Sequence, residues 1–308
     1  MVGGYKALGR LYRGIICPSL RQYAMLGDAA AMTDGVVGNT DDRWIFTEDN
    51  PFRELSTAAQ LAATSRVLRG FNDTLSVSCL DIARAIFSAT KAEGRMAGVK
   101  VQAAAELYLT TSEKQYLDYI VDHADAQGRG AAWYLARVEK LVSDSKDKKV
   151  RSWCKAYRDG LRKYSEQLAE TVKKTPYGVP YEPSIWGAGW DIQRFGFENY
   201  FLADAYPDMF SKEPVCNALN FVLGCHPGSN QASFASGVGA KSATVGYGLN
   251  RADWSYIPGG VISGTALIRP DFPELLTFPF LWQQTEYVLG GGSSHYMFLV
   301  LAVKKLMK

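Results

Sequence analysis

The amino-acid sequence predicts an all-α fold of the α/α barrel type, with long loops forming a cleft. From residue 50 onward, apolar residues recur at helical spacing in successive segments, and no segment shows a convincing strand pattern. Short connections join these segments, which favours antiparallel helical pairs packed as a bundle, a solenoid or a barrel. No repeat of fixed period occurs, which argues against a solenoid. Long loops rich in aromatic residues favour a barrel with a substrate cleft at one end.

Helix starts and stops can be placed along this pattern. A helix is predicted from Pro51 to about Leu68, because Pro is well tolerated at the first helical position and the Gly70 region then stops it. Ser76 is predicted to cap a second helix over residues 77–92. In total roughly seven to nine helices are expected, the others at about residues 98–109, 112–121, 131–141, 149–173, 186–206, 214–223 and 296–307.

Two regions are predicted to be largely irregular. Residues 1–50 are rich in Gly, Asp and Asn, with one short helical possibility at 18–26, and residues 224–273 are dense in Gly, Ser and aromatics. Such long segments inside a compact domain are usually functional loops or remnants of something larger. We therefore expect the second region to line the cleft.

Composition and charge exclude several classes of protein. The chain has 308 residues, of which 47% are hydrophobic and 21% charged, and its net charge is +3. It is long enough for a large core, and without a linker or low-complexity tract we expect a single domain over residues 1–308. The near-balanced charge does not indicate nucleic acid or a membrane surface as a partner.

Metal sites and targeting segments find no support in the sequence. Five cysteines occur without CxxC spacing, and the three histidines lack metal-ligand spacing, so no metal site is predicted. No run of 18 apolar residues is present, and the N-terminus has no signal-peptide pattern.

Glu286 is the acidic residue that stands out. It lies in the stretch 281–296, which reads LWQQTEYVLGGGSSHY, and no other acid occurs within ten residues on either side. Aromatic, uncharged surroundings raise the pKa of a carboxyl group, and a general acid needs a raised pKa to keep its proton near neutral pH. The alternative is an ordinary carboxylate at a helix end or on the surface.

Three blocks of the sequence carry a family resemblance. Residues 175–180 read TPYGVP, with WGAGWD following at 186–191; residues 222–224 read VLG and precede SFASGVGAKS at 233–242. Together with the stretch 281–296, these blocks resemble, in the correct order, the PYG…WGSN, LG…SFVTGFG-KSP and NEVAINWNA segments of glycoside hydrolase family 9. Weaker family segments are matched at residues 3–6 and 56–59, so the resemblance covers nearly the whole chain.

The resemblance implies an (α/α)6 barrel that hydrolyses β-linked glucan or a related polysaccharide with inversion. Inverting hydrolysis uses two carboxyl groups about 6.5–9.5 Å apart, one of which protonates the leaving oxygen. Glu286 stands at the place of the family's general acid. Candidates for binding the oligo- or polysaccharide substrate, by hydrogen bonds or by stacking on sugar faces, are Arg251, Tyr247, Trp186, Trp190, Trp254 and His295.

Two departures from the family pattern matter. The family's histidine-rich MHPHHR run is replaced by residues 243–251, ATVGYGLNR, which puts plain cellulose as the substrate in doubt. The DAGD segment that carries the family's catalytic base is absent, and Asp28 and Asp34 are six residues apart rather than three. We therefore expect the N-terminal part of the barrel to be missing, the chain to be inactive alone, and the missing segment to be a partner.

Cofactor and compartment follow only weakly from the resemblance. No cofactor is expected; some family members bind calcium, but no EF-hand-like loop occurs in this sequence. The parent family is secreted or periplasmic, whereas this chain shows no export signal, so the compartment stays undetermined.

Other functions remain as alternatives. The chain could be a carbohydrate-binding fragment without catalysis, or an α/α-barrel lyase or hydrolase that acts on acidic polysaccharide. Arg251 suits the second alternative, since a guanidinium binds carboxylates bidentately. A Cys225–His226 nucleophile is disfavoured, because adjacent residues rarely face each other and no third orienting group is evident.

Overall fold

Ten helices and six short strands make up the part of the chain that the computed structural model describes. The described residues are 1–12, 14–16, 36, 44–47, 49–124, 131–182, 189–226, 232–242, 257–262, 264, 266–267, 281–282 and 291–308. The helices are α1 Val2–Leu8, α2 Pro51–Leu68, α3 Asp73–Ala89, α4 Arg95–Thr111, α5 Lys114–His123, α6 Ala132–Val142, α7 Lys148–Lys173, α8 Gly189–Ala205, α9 Glu213–Val222 and α10 Gly291–Leu306.

The strands form three isolated pairs of two or three residues per strand. They are β1 Gly14–Ile16 with β2 Trp44–Phe46 and β5 Ala266–Leu267 with β6 Leu281–Trp282, both antiparallel, and β3 Ala232–Ser233 with β4 Lys241–Ser242, which is parallel. No described pair extends into a larger sheet. The architecture is therefore all-α, as predicted, with short strand pairs in its long connections.

The chain divides into two compact units, Met1–Asp125 and Ala126–Lys308. In the first unit, α2 packs against both α3 and α4, and α4 packs against α5. The apolar face of α2 is fully buried, with Leu55, Ala58 and Ala62 at 0% exposure. Burying such side chains supplies most of the driving force for packing these helices.

Polar contacts fix how the helices of the first unit meet. The guanidinium of Arg66 on α2 binds the carboxylate of Glu106 on α4 at 2.8 Å and donates to the hydroxyl of Thr110 at 2.7 Å. On the other side of α2, the hydroxyls of Ser65 and Ser76 lie 3.2 Å apart. Each of these polar groups is buried or half-buried and has a partner, as a stable interior requires.

The second unit is built from the remaining helices, α6 to α10. Helix α8 packs against α6, α9 and α10, and α9 also packs against α10. Its core combines side chains from α8, α9 and α10 with three segments outside the helices, and its buried members are Val179, Tyr181, Ile192, Tyr200, Val215, Ala218, Phe221, Val222, Phe234, Ile262, Leu299 and Ala302. This core holds the ends of α8 and α10, where the candidate site lies.

Several predicted boundaries were wrong. The second predicted helix begins at Asp73 rather than Val77, and its N-cap is Asn72, whose side chain accepts from the Leu75 amide. Ser76 is instead a buried residue inside α3. Helix α10 begins at Gly291, five residues before the prediction, and α1 was not predicted at all. The predicted helix at residues 18–26 lies outside the described residues.

Candidate active site

Helices α8 and α10 run parallel, which places their N-termini at the same end. Their ring contacts progress in the same direction along both helices, from Phe197 and His295, with centroids 5.2 Å apart, to Phe201 and Phe298, at 5.4 Å. Farther along, the ammonium group of Lys305 lies 2.9 Å from the carboxylate of Asp204. Because both sequence positions rise together, α8 and α10 are parallel. We call the end at Gly189 and Gly291 the open end.

Helix geometry makes the open end polar. The first four N–H groups of a helix have no partner inside it, and the macrodipole gives that end a partial positive charge. Two helices of 17 and 16 residues begin there. Hydroxyl and carboxylate groups are favoured in such surroundings, so the open end suits a polar ligand.

Trp190 is one of two sequence-predicted site residues that the structure describes. It occupies the second position of α8, and 37% of its side chain is exposed. A partly exposed indole at a polar helix end offers a flat apolar face for stacking and an N–H donor. Its role in binding sugar stays a prediction.

His295 is the other described site residue. It lies in the second turn of α10, half-buried against the ring of Phe197 on α8. Burial lowers the pKa of His295, and the positive charge of Arg194 lowers it further. The imidazole is therefore neutral near pH 7 and can both donate and accept a hydrogen bond.

Arg194 is held in place by an ion pair. Its Nε lies 2.8 Å from the carboxylate of Glu198, one turn along α8. This hydrogen bond and charge raise the pKa of Arg194, and burial opposes them. The charge of Arg194 adds to the effect of burial in lowering the pKa of His295.

Two paired loop segments line the open end. The amide of Ile262 donates to the carbonyl of Phe234 at 2.9 Å, and Ala235 and Val261 form an antiparallel bridge. Tyr296, from α10, packs against the buried side chains of Ala235 and Val261. The block at 233–242, which carries part of the family resemblance, therefore contributes residues that pack beside the start of α10.

Gly264 is packed where no side chain fits. A Cβ atom at this position would lie 2.5 Å from the Phe234 ring and 2.9 Å from the backbone nitrogen of Gly189. Its φ of +93° is also one that residues with a side chain rarely adopt. Gly264 thus brings the loop against the first residue of α8 at the open end.

Gln193 is a residue that sequence reasoning missed. It lies one turn after Trp190 on α8 with 1% exposure, and its side-chain oxygen is buried without a hydrogen-bond partner within the described structure. A buried unsatisfied acceptor costs about 1–3 kcal/mol. No sequence pattern marks such a residue, because its lack of a partner depends on the packing around it.

The remaining predicted site residues lie outside the described residues. These are Glu286, Arg251, Tyr247, Trp186 and Trp254. Asp28 and Asp34, whose spacing does not match the family's base motif, lie outside them too. In sequence, Trp186 precedes α8 by three residues and Glu286 precedes α10 by five. Their roles stay predictions.

The disfavoured Cys225–His226 pair does not form a nucleophile site. Cys225 is exposed, whereas His226 is buried and stacked on the Phe234 ring at 4.9 Å. The imidazole therefore packs within the aromatic core.

Among the described residues, no group of three or more His, Cys, Asp or Glu side chains is arranged to hold a metal ion. None of the described helices is long and apolar enough to span a bilayer.

The described fold defines an all-α protein of the α/α barrel class, with a polar end formed by two parallel helices. A comparison with family models assigns it further: residues 39–247 match the model described as glycosyl hydrolase family 9. The matched residues make up more than half of the chain, so the protein belongs to this family. The match includes the blocks at 175–191 and 222–242 and ends before Glu286.

Individual relatives agree with this assignment. Endoglucanase 19 of Arabidopsis thaliana is 26% identical over 268 residues, an alignment that covers 68% of this chain and 40% of that protein. The chain therefore spans less than half the length of this curated relative.

Solved structures share the fold. A family 9 structure from Bacteroides ovatus superimposes with a TM-score of 0.67 and 16% identity, covering 97% of this chain and 59% of that one. An endoglucanase from the termite Nasutitermes takasagoensis gives a TM-score of 0.58 and 18% identity, covering 88% and 70%. These matches confirm the predicted (α/α)6 barrel fold class.

Proposed function

We propose that this chain is part of a glycoside hydrolase that cleaves β-linked glucan, or a related polysaccharide, with inversion. Glu286 is the proposed general acid, which protonates the leaving glycosidic oxygen. The observation that carries the proposal is the family match together with the parallel pair of helices. That pair gathers Trp190 and His295 at the open end, five residues of sequence from Glu286.

Glu286 lies close to the open end in sequence. It precedes Gly291, the first residue of α10, by five positions. This short separation along the chain supports the proposal that Glu286 acts in a site that includes the starts of α8 and α10.

Two described side chains have proposed roles beside the acid. Trp190 supplies an exposed indole face on which a sugar ring stacks. His295, kept neutral by burial, donates or accepts a hydrogen bond with a sugar hydroxyl. Neither side chain carries a charge near pH 7, so neither would lower the pKa of a neighbouring general acid.

The second carboxylate is proposed to come from outside these 308 residues. The sequence contains no DAGD segment, and the chain spans 40% of its curated relative and 59% of the Bacteroides ovatus structure. Without a base, no water is activated on the face of the sugar opposite the acid. We therefore expect the chain alone to hydrolyse glucan very slowly.

Azide provides a test that separates the acid from the base. An external azide ion attacks the anomeric carbon as the glycosidic bond breaks, so it replaces the missing base and its water while the acid still protonates the leaving oxygen. With mixed-linkage glucan and cello-oligosaccharides, we expect formation of an inverted glycosyl azide but little hydrolysis. Glu286→Gln should reduce azide product by about 10²–10⁴-fold, the usual contribution of a general acid.

The matched control is Glu182→Gln, which removes an exposed carboxylate and should leave product formation unchanged. Robust hydrolysis without azide, abolished by Glu286→Gln, would retain the acid but contradict the missing base. Equal yields of glycosyl azide from the wild type and from Glu286→Gln would contradict the assignment of Glu286 as the general acid.

A further inference from the structure

A groove lined by positive charges lies between α6 and α7, within the second unit. Its cavity, of about 360 Å³, is bordered by Arg151, Lys155, Arg158 and Arg162 on α7 and by Ser143 at the end of α6. Cys154 and Asp159 complete the lining. We call this surface, defined by its four cationic residues and Ser143, the basic groove.

The four cations form one straight stripe along α7. They occur at relative positions 0, 4, 7 and 11, which at 3.6 residues per turn fall within an arc of about 60°. With a rise of 1.5 Å per residue, the stripe is about 16 Å long. The groove therefore presents its charges in a row.

Two of the four cations are engaged in ion pairs. The guanidinium of Arg158 lies 2.7 Å from the carboxylate of Glu139, which is 1% exposed, and Arg162 lies 2.6 Å from Asp159. Arg158 thus neutralises a buried charge. Arg151 and Lys155 are both exposed, and neither has a carboxylate within salt-bridge distance in the described part of the chain.

This arrangement is unfavourable for the helix on its own. Like charges at spacings of three and four residues repel by a few tenths of a kcal/mol per pair, and Arg151, Lys155 and Arg158 form two such pairs. Arg151 also follows Lys148 and Lys149 in the first turn of α7, where the macrodipole disfavours cations; the N-cap carboxylate of Asp147 accepts hydrogen bonds from the amides of Lys149 and Val150. Within the described part of the chain, no ion pair therefore accounts for Arg151 and Lys155.

A second cavity extends the groove. Its volume is about 390 Å³, and it shares Ser143 and Arg158 with the first while reaching Tyr206 after α8. The Tyr206 hydroxyl donates to Glu139, and Lys140 donates to the carbonyls at the end of α8 at 3.4 Å. An elongated surface of this kind fits an extended ligand better than a single small ion.

We propose that the basic groove binds an acidic polysaccharide, a chain that carries a carboxylate on successive sugars. Arg151 and Lys155 pair with the carboxylates, which removes the repulsion along α7, and Ser143 hydrogen-bonds sugar hydroxyls. The residues that line the basic groove include no aromatic side chain, and those that line the second cavity include one, Tyr206, so the surface lacks the succession of stacking platforms that single-stranded nucleic acids require. The site does not depend on Glu286 and lies outside the proposed catalytic centre.

The test measures binding of fluorescently labelled polygalacturonate to the whole chain by anisotropy at low and physiological salt. We expect binding that weakens with salt, as for exposed charges, and an affinity loss of about tenfold in Arg151→Gln/Lys155→Gln. The matched control, Lys149→Gln/Lys163→Gln, removes the same charge from other faces of α7 and should change affinity less than twofold. Neutral cello-oligosaccharide should not compete for this site.

Stability gives a second readout. Because Arg151 and Lys155 are proposed to repel rather than stabilise, Arg151→Gln/Lys155→Gln should leave the melting temperature unchanged or raise it. A clear fall would assign them a structural role and overturn the proposal. Equal loss in both double variants, no binding of polygalacturonate, or equally tight binding of oligothymidylate or phosphatidylserine vesicles would also overturn it. These outcomes are independent of the Glu286 assay.

Discussion

The half-buried imidazole of His295 makes the stability of the protein depend on pH. The ring packs on Phe197 beside Arg194, and burial together with that cation holds its pKa below the ordinary value of 6.5. In the unfolded chain the same ring takes up a proton near pH 6.5. Below that pH the unfolded state therefore binds more protons, and the free energy of unfolding must fall.

The prediction is a stability loss that begins near pH 6.5 and continues until the folded-state pKa of His295 is reached. Urea unfolding of the wild type and of His295→Gln at several pH values measures it. The variant, which cannot be protonated, should lose less stability between pH 7.5 and 5. Identical pH profiles for the two chains would contradict a buried, neutral imidazole.

Gly264 supports a second prediction at the level of one residue. Gly264→Ala should destabilise the protein by about 3 kcal/mol or more, because the new Cβ meets both the Phe234 ring and the backbone of Gly189. Gly259→Ala is the control: its φ is +72°, but nothing lies within 4 Å of the added Cβ. It should cost only the backbone term, about 1–2 kcal/mol.

Chemical denaturation of the two glycine variants separates contact from conformation. A larger loss of unfolding free energy in Gly264→Ala than in Gly259→Ala reports the close contact between the loop and the start of α8. Equal losses in the two variants would mean that the loop does not hold this helix end.

At the scale of elements, α8 is held close to its neighbours by Gly196. A Cβ there would lie 2.8 Å from Ala218 on α9 and 2.8 Å from Leu299 on α10. The absence of a side chain lets three helices approach, although glycine costs about 0.5–1 kcal/mol in a helix relative to alanine. The close packing of α8, α9 and α10 therefore depends on a glycine at this position, despite its lower helix propensity.

Gly196→Ala should therefore destabilise the protein by about 1–3 kcal/mol, the usual effect of overpacking. Gly98→Ala in α4 is the opposite case, because nothing lies within 4 Å of its added Cβ. That variant should gain about 0.5–1 kcal/mol from helix propensity. Equilibrium unfolding of both variants measures the change in the free energy of unfolding. Changes of the same sign in the two variants would refute the packing argument.

Much of the helical pattern was predictable because its signals are local. Asn50 and Pro51 mark the start of α2 in sequence and do so in the structure, where the Asn50 side chain accepts from the Arg53 amide. The start of α10 was missed because Gly291 and Gly292 have low helix propensity, yet tertiary packing on the α8 side extends the helix through them. Ser76 was mistaken for a cap because Asn72, one turn earlier, gives the same kind of signal.

The site was predictable in part for the same reason. Trp190 and His295 come from segments that resemble family blocks, and both lie at the open end. Gln193 and Gly264 depend on contacts between segments far apart in sequence, such as Gly264 with Phe234 and Gly189. Side-chain chemistry alone does not reveal those contacts, so a single sequence could not identify them.

At the scale of the whole molecule, the open question is whether the two units unfold together. We expect residues 1–308 to behave as one domain, although contacts divide the chain at Asp125. Of the seven tryptophans, only Trp44 lies in the first unit, so the other six report on the second. Tryptophan fluorescence therefore follows mainly the second unit, whereas far-ultraviolet circular dichroism follows the helices of both units.

Gly98→Ala, which stabilises the first unit, provides the test. If the chain is one cooperative domain, the variant should shift the fluorescence and dichroism midpoints equally. A dichroism shift without a fluorescence shift, or two separate transitions in the wild type, would show two independent domains.

The parallel alignment of α8 and α10 also bears on the order of folding. Phe197 and His295, which touch across this pair, are 98 residues apart in sequence, whereas α8 and α9 are joined by a short connection. Closing a long loop carries a larger entropic cost, so contacts between distant segments form later than local ones. The α8–α9 hairpin should assemble early and α10 should dock late, which makes the proposed substrate-binding end among the last parts of the molecule to become native.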